Sequence, residues 1–293
     1  MPHRGKIRRQ RWAAKTAGNG LGRTAGAKAF IRRRGEIGNG RLAYRRTTPA
    51  EPVVSVIIPA KNERSTIAQV IAEAFRVHPY TEVIVVVNGS TDGTEQIARK
   101  AGANIISFPE PLGHDVGRSV GAREAKGQIL LFTDGDIVIR SGHLAKLVQA
   151  IQSGTDVALN GYLGTVSKQD VHSVVLVKHV LNIALHRPDL LGASMTTIPH
   201  AISRRALQVI GTEHLSVPPL AMAMAIVHGL KVRRVHYIEV GTTNRKRGRG
   251  GKDGDPLEQL IVGDHLEALH WYLSASNARG FRTDLARQRE AVK

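Results

Sequence analysis

The sequence lacks cysteine, which excludes disulfide bonds and thiolate chemistry. It also lacks any apolar run of the roughly 18 residues that a membrane-spanning helix needs. The most apolar candidate, residues 215–227, is short and is broken by Pro218 and Pro219. We therefore expect a protein that does not cross a bilayer, and the absence of cysteine favours a cytoplasmic location.

Aromatic residues make up only 4% of the chain, and no basic patch interleaved with aromatics marks a nucleic-acid-reading module. Acidic residues are almost absent from the first 50 positions, where 14 lysines and arginines face the single acid Glu36. That segment carries a net charge of +13, whereas the remaining 243 residues carry +5. Because it is glycine-rich and has no sustained hydrophobic period, we expect residues 1–51 to form a disordered basic arm.

The arm lacks the apolar core of a secretory signal, and it contains no serine, which disfavours a transit peptide. Its charge predicts contact with an anionic membrane, an acidic polymer or nucleic acid. A solvated, solubilising tail is the alternative, since blocks of like charge need no partner. A membrane partner would place the protein peripherally on the inner face of the membrane.

Residues 52–293 are expected to form the folded domain, and the 42% hydrophobic content of the chain supplies enough apolar surface for a core. Its first part alternates between short β-branched runs, at 53–59, 81–87, 104–108 and 128–133, and helical segments. This alternation predicts an α/β fold with a mostly parallel central sheet flanked by helices. We divide the domain into residues 52–140, 141–255 and 256–293.

Two carboxylates, Asp134 and Asp136, follow the apolar strand 128–133. Ligands bind at the carboxyl ends of parallel strands. Residues separated by one position point to the same side of an extended chain, so these two carboxylates can share a divalent cation. A solvated turn is the alternative interpretation.

Polar loops follow the first, second and fourth strands, at residues 59–64, 88–94 and 133–136. Together and in this order they resemble the nucleotide-sugar-binding half of the family 2 glycosyltransferases, which adopt the GT-A fold. The matching segments are Val56–Glu63, Val85–Thr94, Gly113 with Gly117–Ala122, and Ala125–Asp136.

The resemblance implies a donor site for a nucleoside-diphosphate sugar, with a UDP-sugar expected first. It places the nucleoside on Asn62, Glu63 and Asp92, and a divalent Mn or Mg ion on Asp136, with Asp134 on the metal or the sugar. Arg118 either meets the diphosphate or orders the carboxylates, a simple ion pair being the alternative. The donor-site residues implied are Pro59, Ala60, Asn62, Glu63, Asn88, Asp92, Gly113, Arg118, Asp134, Arg245 and Arg247. Since Asn88 stands where the family has aspartate, the base preference stays open.

Residues 241–255 combine five glycines with five basic residues, among them Arg245 and Arg247. Such a loop suits a mobile clamp on the diphosphate, and a solvated loop is the alternative. Pro256 suits the first turn of a helix whose leucines and isoleucine are expected to form one broad packing face. The members of this face are Leu257, Leu260, Ile261, Leu266, Leu269 and Leu273. We expect this helix to pack on the domain or on a second subunit of a homodimer.

The catalytic base is the point at which the sequence departs from the family. The resemblance places an acidic pair about a dozen residues before Gly229, where this chain has Val217 and Pro218. The nearest groups that accept a proton are Glu213 and His214, which we take as the candidate catalytic residues of an inverting enzyme. A retaining mechanism, or loss of activity, remains open.

These features predict a metal-dependent glycosyltransferase that moves a sugar from a nucleoside-diphosphate sugar to the hydroxyl of an unidentified acceptor. The alternatives are a catalytically inactive nucleotide-sugar binder and a polyanion- or nucleic-acid-binding protein that acts through the arm. A nucleotidyltransferase is disfavoured, because its first strand leads into a glycine-rich basic loop rather than into Pro59-Ala-Lys-Asn-Glu.

Overall fold

The computed structural model describes residues 51–166, 171–241 and 255–292. All of the expected arm except Glu51 lies outside these residues, as do Arg245 and Arg247 of the expected clamp. The strands are β1 Val54–Ala60, β2 Thr81–Asn88, β3 Asn104–Phe108, β4 Ile129–Phe132, β5 Val157–Asn160, β6 His200–Ser203 and β7 Val232–His236. The helices are α1 Ile67–Phe75, α2 Thr94–Lys100, α3 Val116–Glu124, α4 Ser141–Gln152, α5 Ser173–Ala184, α6 Arg204–Ile210, α7 Pro218–Val227 and α8 Pro256–Ala275. Short 3-10 turns cover Pro188–Leu190, Glu213–Ser216 and Arg289–Val292.

The strands of the described residues form one seven-stranded sheet in the order β3-β2-β1-β4-β6-β5-β7. β1 pairs in parallel with β2 and β4, and β2 pairs in parallel with β3. Because helices cover both faces, strands such as β2 read as continuous apolar runs rather than as alternating ones. The prediction of a mostly parallel α/β sheet flanked by helices is confirmed.

Strand β6 runs antiparallel to both of its neighbours, β4 and β5. Its first residue, His200, therefore pairs with Phe132, the last residue of β4. The chain that enters β6 consequently lies at the same sheet edge as the loop that leaves β4. This reversal brings residues 194–199 next to Asp134 and Asp136, although about sixty positions separate the two segments in the sequence.

The core lies on both faces of the sheet, as the side-chain period of two along β1 requires. Val56 and Ile58 belong to the apolar cluster that includes α1 and α4. Ile57, between them, belongs to the cluster on the opposite face, with α3, α6 and α7.

Helix α3 lies against β1 at a distance that only glycine permits. A Cβ atom on Gly121 would come within 2.5 Å of Cγ2 of Ile57, and one on Gly117 within 3.1 Å of Cβ of Pro59. The two glycines are four residues apart, so they lie on the same face of the helix. This close approach brings Arg118 to the carboxyl end of the sheet.

Helix α8 packs against α5 and α7 through a third cluster of buried side chains. Its buried residues are His265, Ala268 and Tyr272, whereas Leu260 and Leu266 are 44% and 59% exposed. The expectation of one broad packing face that includes Leu260 and Leu266 is therefore wrong. In the described part of the chain, no helix combines the length and apolar composition that crossing a bilayer requires.

Candidate active site

A cavity of about 450 Å³ opens at the carboxyl ends of β1, β2 and β4. It is the place at which the three polar loops meet. The predicted donor-site residues among its lining are Pro59, Ala60, Glu63, Asn88, Gly113, Asp134 and Asp136. Its lining also includes Lys61, Pro111, His114, Asp115, Gly117 and Gly135.

The first and second loops are tied together by hydrogen bonds through Asn62. This residue has a positive φ of 58°, a conformation that asparagine tolerates better than most residues. Its backbone N–H donates to Oγ of Ser90 at 3.0 Å, and its Oδ1 accepts from the N–H of Thr91 at 2.9 Å. The side-chain oxygen of Asn62 is therefore engaged in holding the two loops in register.

Asp92 has a similar position between the loops. Its two carboxylate oxygens accept from the backbone N–H groups of Arg64 and Thr94, each at 3.0 Å. Although its partial burial raises the pKa, the hydrogen bonds from Thr94 and Arg64 outweigh it and lower the pKa of Asp92. Neither Asn62 nor Asp92 is among the residues that line the cavity, so what the structure shows for both is a role in loop geometry.

The hydrogen bonds of Asn88 account for an asparagine at a position where the family has aspartate. Its Nδ2 donates to the carbonyl of Gly113 at 3.1 Å, while its Oδ1 accepts from the N–H of Leu112. Gly113 has a φ of +98°, a conformation that favours glycine. An aspartate has no donor for the Gly113 carbonyl, so the amide is the side chain that holds residues 112 and 113 beside the cavity.

Arg118 is 3% exposed and sits behind the carboxylates. Its guanidinium pairs with Asp115 at 3.1 Å and with Asp134 at 3.4 Å. Burial by itself lowers the pKa of this guanidinium, but the two carboxylates outweigh burial and raise it. Arg118 thus forms a buried ion pair with Asp134, and its contact with a diphosphate stays a prediction.

A second cavity, of about 350 Å³, adjoins the first and shares His114, Asp134 and Asp136 with it. Its other walls come from α3, from α5, from the loop before β6 and from the start of α8, and include Arg118, Lys178, Thr196, Thr197, Asp255 and Ile261. The carboxylates Asp134 and Asp136 therefore stand between two compartments. This is the arrangement needed to join two substrates at one point.

The structure does not bring Glu213 or His214 into either of these cavities. They belong to a 3-10 turn that packs on α3, where Oγ of Ser119 donates to the carbonyl of Glu213. The Glu213 side chain is 67% exposed, and Nδ1 of His214 lies 2.7 Å from the carbonyl oxygen of Ile210. The geometry therefore does not support the predicted base at this turn.

Val217 and Pro218, which stand where the family has an acidic pair, lie at the start of α7. Pro218 and Pro219 open α7 at its first two positions and are buried, as is most of that helix. Proline is well suited to a first helical turn, but it supplies no group that accepts a proton.

Two residues of the second cavity were not predicted from the sequence. Asp255 is the N-cap of α8, and its Oδ1 accepts from the N–H of Leu257 at 2.9 Å. The proline at position 256 was a signal for this N-cap. Lys178 is the one lysine or arginine in α5, an otherwise mostly apolar helix, and this isolation was its only signal.

Comparison with known proteins identifies the family to which this part of the chain belongs. The sequence pattern of glycosyl transferase family 2 matches residues 55–181, from β1 into α5. This part of the chain is a glycosyl transferase family 2 domain. The family predicted from the three loops is thereby confirmed, and the match includes Asp134, Asp136 and Arg118.

Curated relatives of the family 2 domain include two proteins of Haloferax volcanii. Glycosyltransferase AglE is 38% identical over 122 residues, which cover 39% of this chain and 40% of AglE. The dolichyl-phosphate hexose transferase is 32% identical over 104 residues, which cover 36% of this chain and 45% of that protein. The chain thus spans less than half the length of these relatives.

Among solved structures, the chain resembles glucosyl-3-phosphoglycerate synthase of Mycobacterium tuberculosis in complex with UDP. The identity is 21%, the match covers 75% of this chain and 81% of the synthase, and the TM-score is 0.59. A complex of the same synthase with Mn²⁺, UDP-glucose and phosphoglyceric acid gives a TM-score of 0.58 at 21% identity. This likeness establishes the fold, which is of the GT-A type as predicted.

Proposed function

We propose that the protein is a metal-dependent glycosyltransferase that uses a nucleoside-diphosphate sugar, with UDP-glucose as the first donor to test. The observation that carries the proposal is the position of Asp134 and Asp136 at the carboxyl edge of the sheet, between two adjoining cavities. The membership of residues 55–181 in glycosyl transferase family 2 supports the reaction class. The UDP-glucose and Mn²⁺ held by the synthase of similar fold support the choice of donor and ion.

The first cavity is the proposed donor compartment. Asn62 and Asp92 hold the first and second polar loops together. Asn88 positions residues 112 and 113 beside the cavity. Glu63 and Lys61 supply polar groups to its wall. The predicted clamp with Arg245 and Arg247 remains part of the proposal for closing this compartment over the diphosphate.

The carboxylates fit a divalent cation. Asp134 and Asp136 flank Gly135, where a Cβ atom would come within 3.1 Å of Cβ of Ala60 and 3.3 Å of the carbonyl oxygen of Pro59. Carboxylate oxygens are the ligands that Mg²⁺ and Mn²⁺ take, commonly one or two together with the phosphates of a substrate. When bound, such an ion would offset the negative charge that develops on the departing nucleoside diphosphate. The guanidinium of Arg118 pairs with Asp134 at 3.4 Å and holds its carboxylate in place for this role.

The second cavity is the proposed acceptor compartment, and Asp255 is the proposed base. Of the lining residues, it is the third carboxylate beside Asp134 and Asp136. Its position at the start of a helix matches the place from which an inverting transferase presents its base. Asp255 would take the proton of the acceptor hydroxyl as that hydroxyl attacks the anomeric carbon.

A catalytically inactive nucleotide-sugar binder is the second candidate, favoured by Val217 and Pro218 at the position of the expected acids. Two successive measurements distinguish the two candidate functions. The protein is first screened for thermal stabilisation by UDP, GDP and dTDP, each with and without Mn²⁺, because a true ligand raises the melting temperature by mass action. The sugar nucleotide of the best nucleotide is then incubated with the protein, and released sugar is measured.

Stabilisation by one nucleotide with Mn²⁺, together with metal-dependent release of sugar, is the expected result. Stabilisation without any release of sugar, in the presence of a panel of hydroxyl acceptors, would favour the inactive binder. The absence of stabilisation by all three nucleotides would contradict both.

A further inference from the structure

Lys178 brings a positive charge into the wall of the second cavity. It lies in α5, where no other lysine or arginine occurs, and it is only partly exposed. Its Nζ donates to Oγ1 of Thr197 at 2.8 Å, so the ammonium points towards the loop before β6 rather than away from the domain. Thr197 is itself 5% exposed and lines the same cavity.

Unlike its neighbour Arg118, Lys178 has no anion beside it among the residues that the structure describes. Arg118 is paired with Asp115 and Asp134. No ion pair joins Lys178 to any carboxylate of residues 51–166, 171–241 and 255–292, and its hydrogen-bond partner is a neutral hydroxyl. An ammonium that is removed from water without a counter-ion is unfavourable, whereas the same ammonium stabilises an anion placed next to it.

The electrostatics of the site agree with this geometry. Burial, and secondly the charge of Arg118, lower the pKa of Lys178 to about 8. The ammonium is therefore the major form at neutral pH, and an anionic ligand would raise the pKa again. Negative charge brought by a ligand is thus favoured beside Lys178 and Thr197.

We propose that Lys178 and Thr197 form a phosphate subsite in the acceptor compartment, so that the acceptor of this enzyme carries a phosphate group near the hydroxyl that receives the sugar. The proposal rests on the glycosyltransferase function proposed above and names the class of its acceptor. A lysine is a point charge with three donors, and together with the hydroxyls of Thr196 and Thr197 it suits the tetrahedral oxygens of phosphate. A planar carboxylate is the partner that an arginine would serve better, and the one arginine of this cavity is already paired.

The size of the compartment limits what the phosphate is attached to. A cavity of about 350 Å³ holds a small hydroxylated phosphoester or the headgroup of a phosphate-bearing lipid, but not a polymer. Both sources present the same group to Lys178. They differ in whether an apolar chain adds to the affinity.

The test is calorimetric titration of glycerol 3-phosphate into the full-length protein saturated with UDP and Mn²⁺, so that the probe does not occupy the diphosphate position. Glycerol is the uncharged control. Three variants are compared with the wild type: Lys178→Met, Lys178→Arg, and Lys146→Met, which removes an exposed lysine of α4 outside both cavities. Lys178→Met retains the apolar stem and removes an unpaired buried charge, so we expect it to fold.

We expect Lys178→Met to weaken the binding of glycerol 3-phosphate by about ten- to a hundredfold, which is the usual effect of losing a hydrogen bond to a charged group. The affinity of the same variant for UDP should stay unchanged. Lys146→Met should bind UDP and glycerol 3-phosphate with the affinities of the wild type. In the wild type, phosphate affinity should fall as the pH rises past about 8, because the ammonium loses its proton there. Lys178→Arg should move this loss to higher pH, since arginine stays charged.

Equal affinity of the wild type and Lys178→Met for glycerol 3-phosphate would overturn the subsite, as would a pH profile that the arginine variant does not move. Failure of UDP to bind would instead contradict the proposed function, and the titration is then repeated without nucleotide to test the subsite alone. Dihexanoyl phosphatidic acid, a water-soluble lipid phosphate, identifies the source. If dihexanoyl phosphatidic acid binds more tightly than glycerol 3-phosphate, the acceptor is a lipid. If the two bind equally, the acceptor is a soluble phosphoester.

Discussion

Asp255 is the proposed base, and a single substitution at this residue tests that role. Asp255→Asn would remove the proposed base but retain a good N-cap for α8, because asparagine caps helices as well as aspartate does. We expect the rate of transfer to fall by about a hundredfold or more, as is typical for the loss of a general base, with UDP affinity unchanged. Initial rates and calorimetric titration with UDP measure the two quantities.

An Asp255→Asn variant with full activity would exclude Asp255 as the base. NMR of the product anomer would then decide between an inverting enzyme with another base and a retaining one. The double variant of Glu213 and His214 is the matched control, since neither residue lines the two cavities, and we expect it to keep its activity.

Two buried histidines set the dependence of stability on pH. Burial lowers the pKa of His200 to about 3 and that of His265 to about 4, with smaller changes from nearby Arg118 and Lys178 and from one backbone carbonyl each. Both pKa values lie below the ordinary 6.5, so the unfolded chain binds protons between pH 6.5 and these values while the folded protein does not. The contribution of these histidines to the free energy of unfolding is therefore fully present above pH 6.5 and is lost as the pH falls towards their folded-state pKa values.

At pH 5 each of these histidines should reduce the free energy of unfolding by about 2 kcal/mol relative to neutral pH. Urea unfolding at pH 7 and pH 5 measures the difference. The substitution His200→Gln should reduce this difference by about the same 2 kcal/mol. A His200→Gln protein with the pH dependence of the wild type would contradict the assignment.

Helix α3 illustrates how packing between elements places a functional residue. Gly121 meets Ile57, so the substitution Gly121→Ala places a Cβ atom 2.5 Å from a core methyl group. We expect a loss of about 1–3 kcal/mol of stability from this overpacking, and weaker UDP binding because Arg118 shifts with the helix. Gly263→Ala in α8 is the control, since no atom lies within 4 Å of its added Cβ.

Gly263→Ala should stabilise the protein by about 0.5–1 kcal/mol, because alanine favours the helix more than glycine does. Both variants are compared by denaturant unfolding and UDP titration. If Gly121→Ala is as stable as the wild type, α3 does not lie as close to β1 as described.

The elements that the sequence predicts well are those that follow one another along the chain. The strand before Asp134 and Asp136, and the loops of Asn62 and Asn88, form one edge because consecutive parallel strands end on the same side. Lys178 and Asp255 come from α5 and α8, which reach this edge through the reversal of β6 and the packing of α8 on α5 and α7. Such contacts between distant segments leave no periodic signal in the sequence.

Glu213 and His214 lie outside the lining of the two cavities for a related reason. They are close in sequence to the position of the expected acids, but the turn that contains them packs on α3. Helix α4, Ser141–Gln152, has no counterpart in the sequence analysis, although it buries Leu144, Leu147 and Val148. The face of α8 was misassigned because His265 and Ala268 form its contact, while Leu260 and Leu266 remain exposed.

Across the whole chain, most of the net positive charge lies in residues 1–50, outside the domain that holds the two cavities. The segment 1–50 has a net charge of +13, and we propose that it attracts anionic lipid or another polyanion at about 1 kcal/mol per basic residue near a charged surface. Deleting residues 1–50 should abolish sedimentation with anionic vesicles at low salt and leave UDP binding unchanged. A truncated protein that still sediments would exclude the membrane role, and a parallel test with DNA separates a nucleic-acid role.

The central claim is that Asp134 and Asp136 bind a nucleoside diphosphate through a divalent ion, and Asp136→Asn tests it most directly. The measurement is calorimetric titration of UDP into the wild type and the variant, each with and without Mn²⁺, with the thermal unfolding of both proteins recorded. We expect Mn²⁺ to strengthen UDP binding in the wild type, and the variant to lose this metal-dependent gain while its melting temperature stays within a few degrees. Equal Mn²⁺-dependent affinity for UDP in Asp136→Asn and the wild type would contradict the claim.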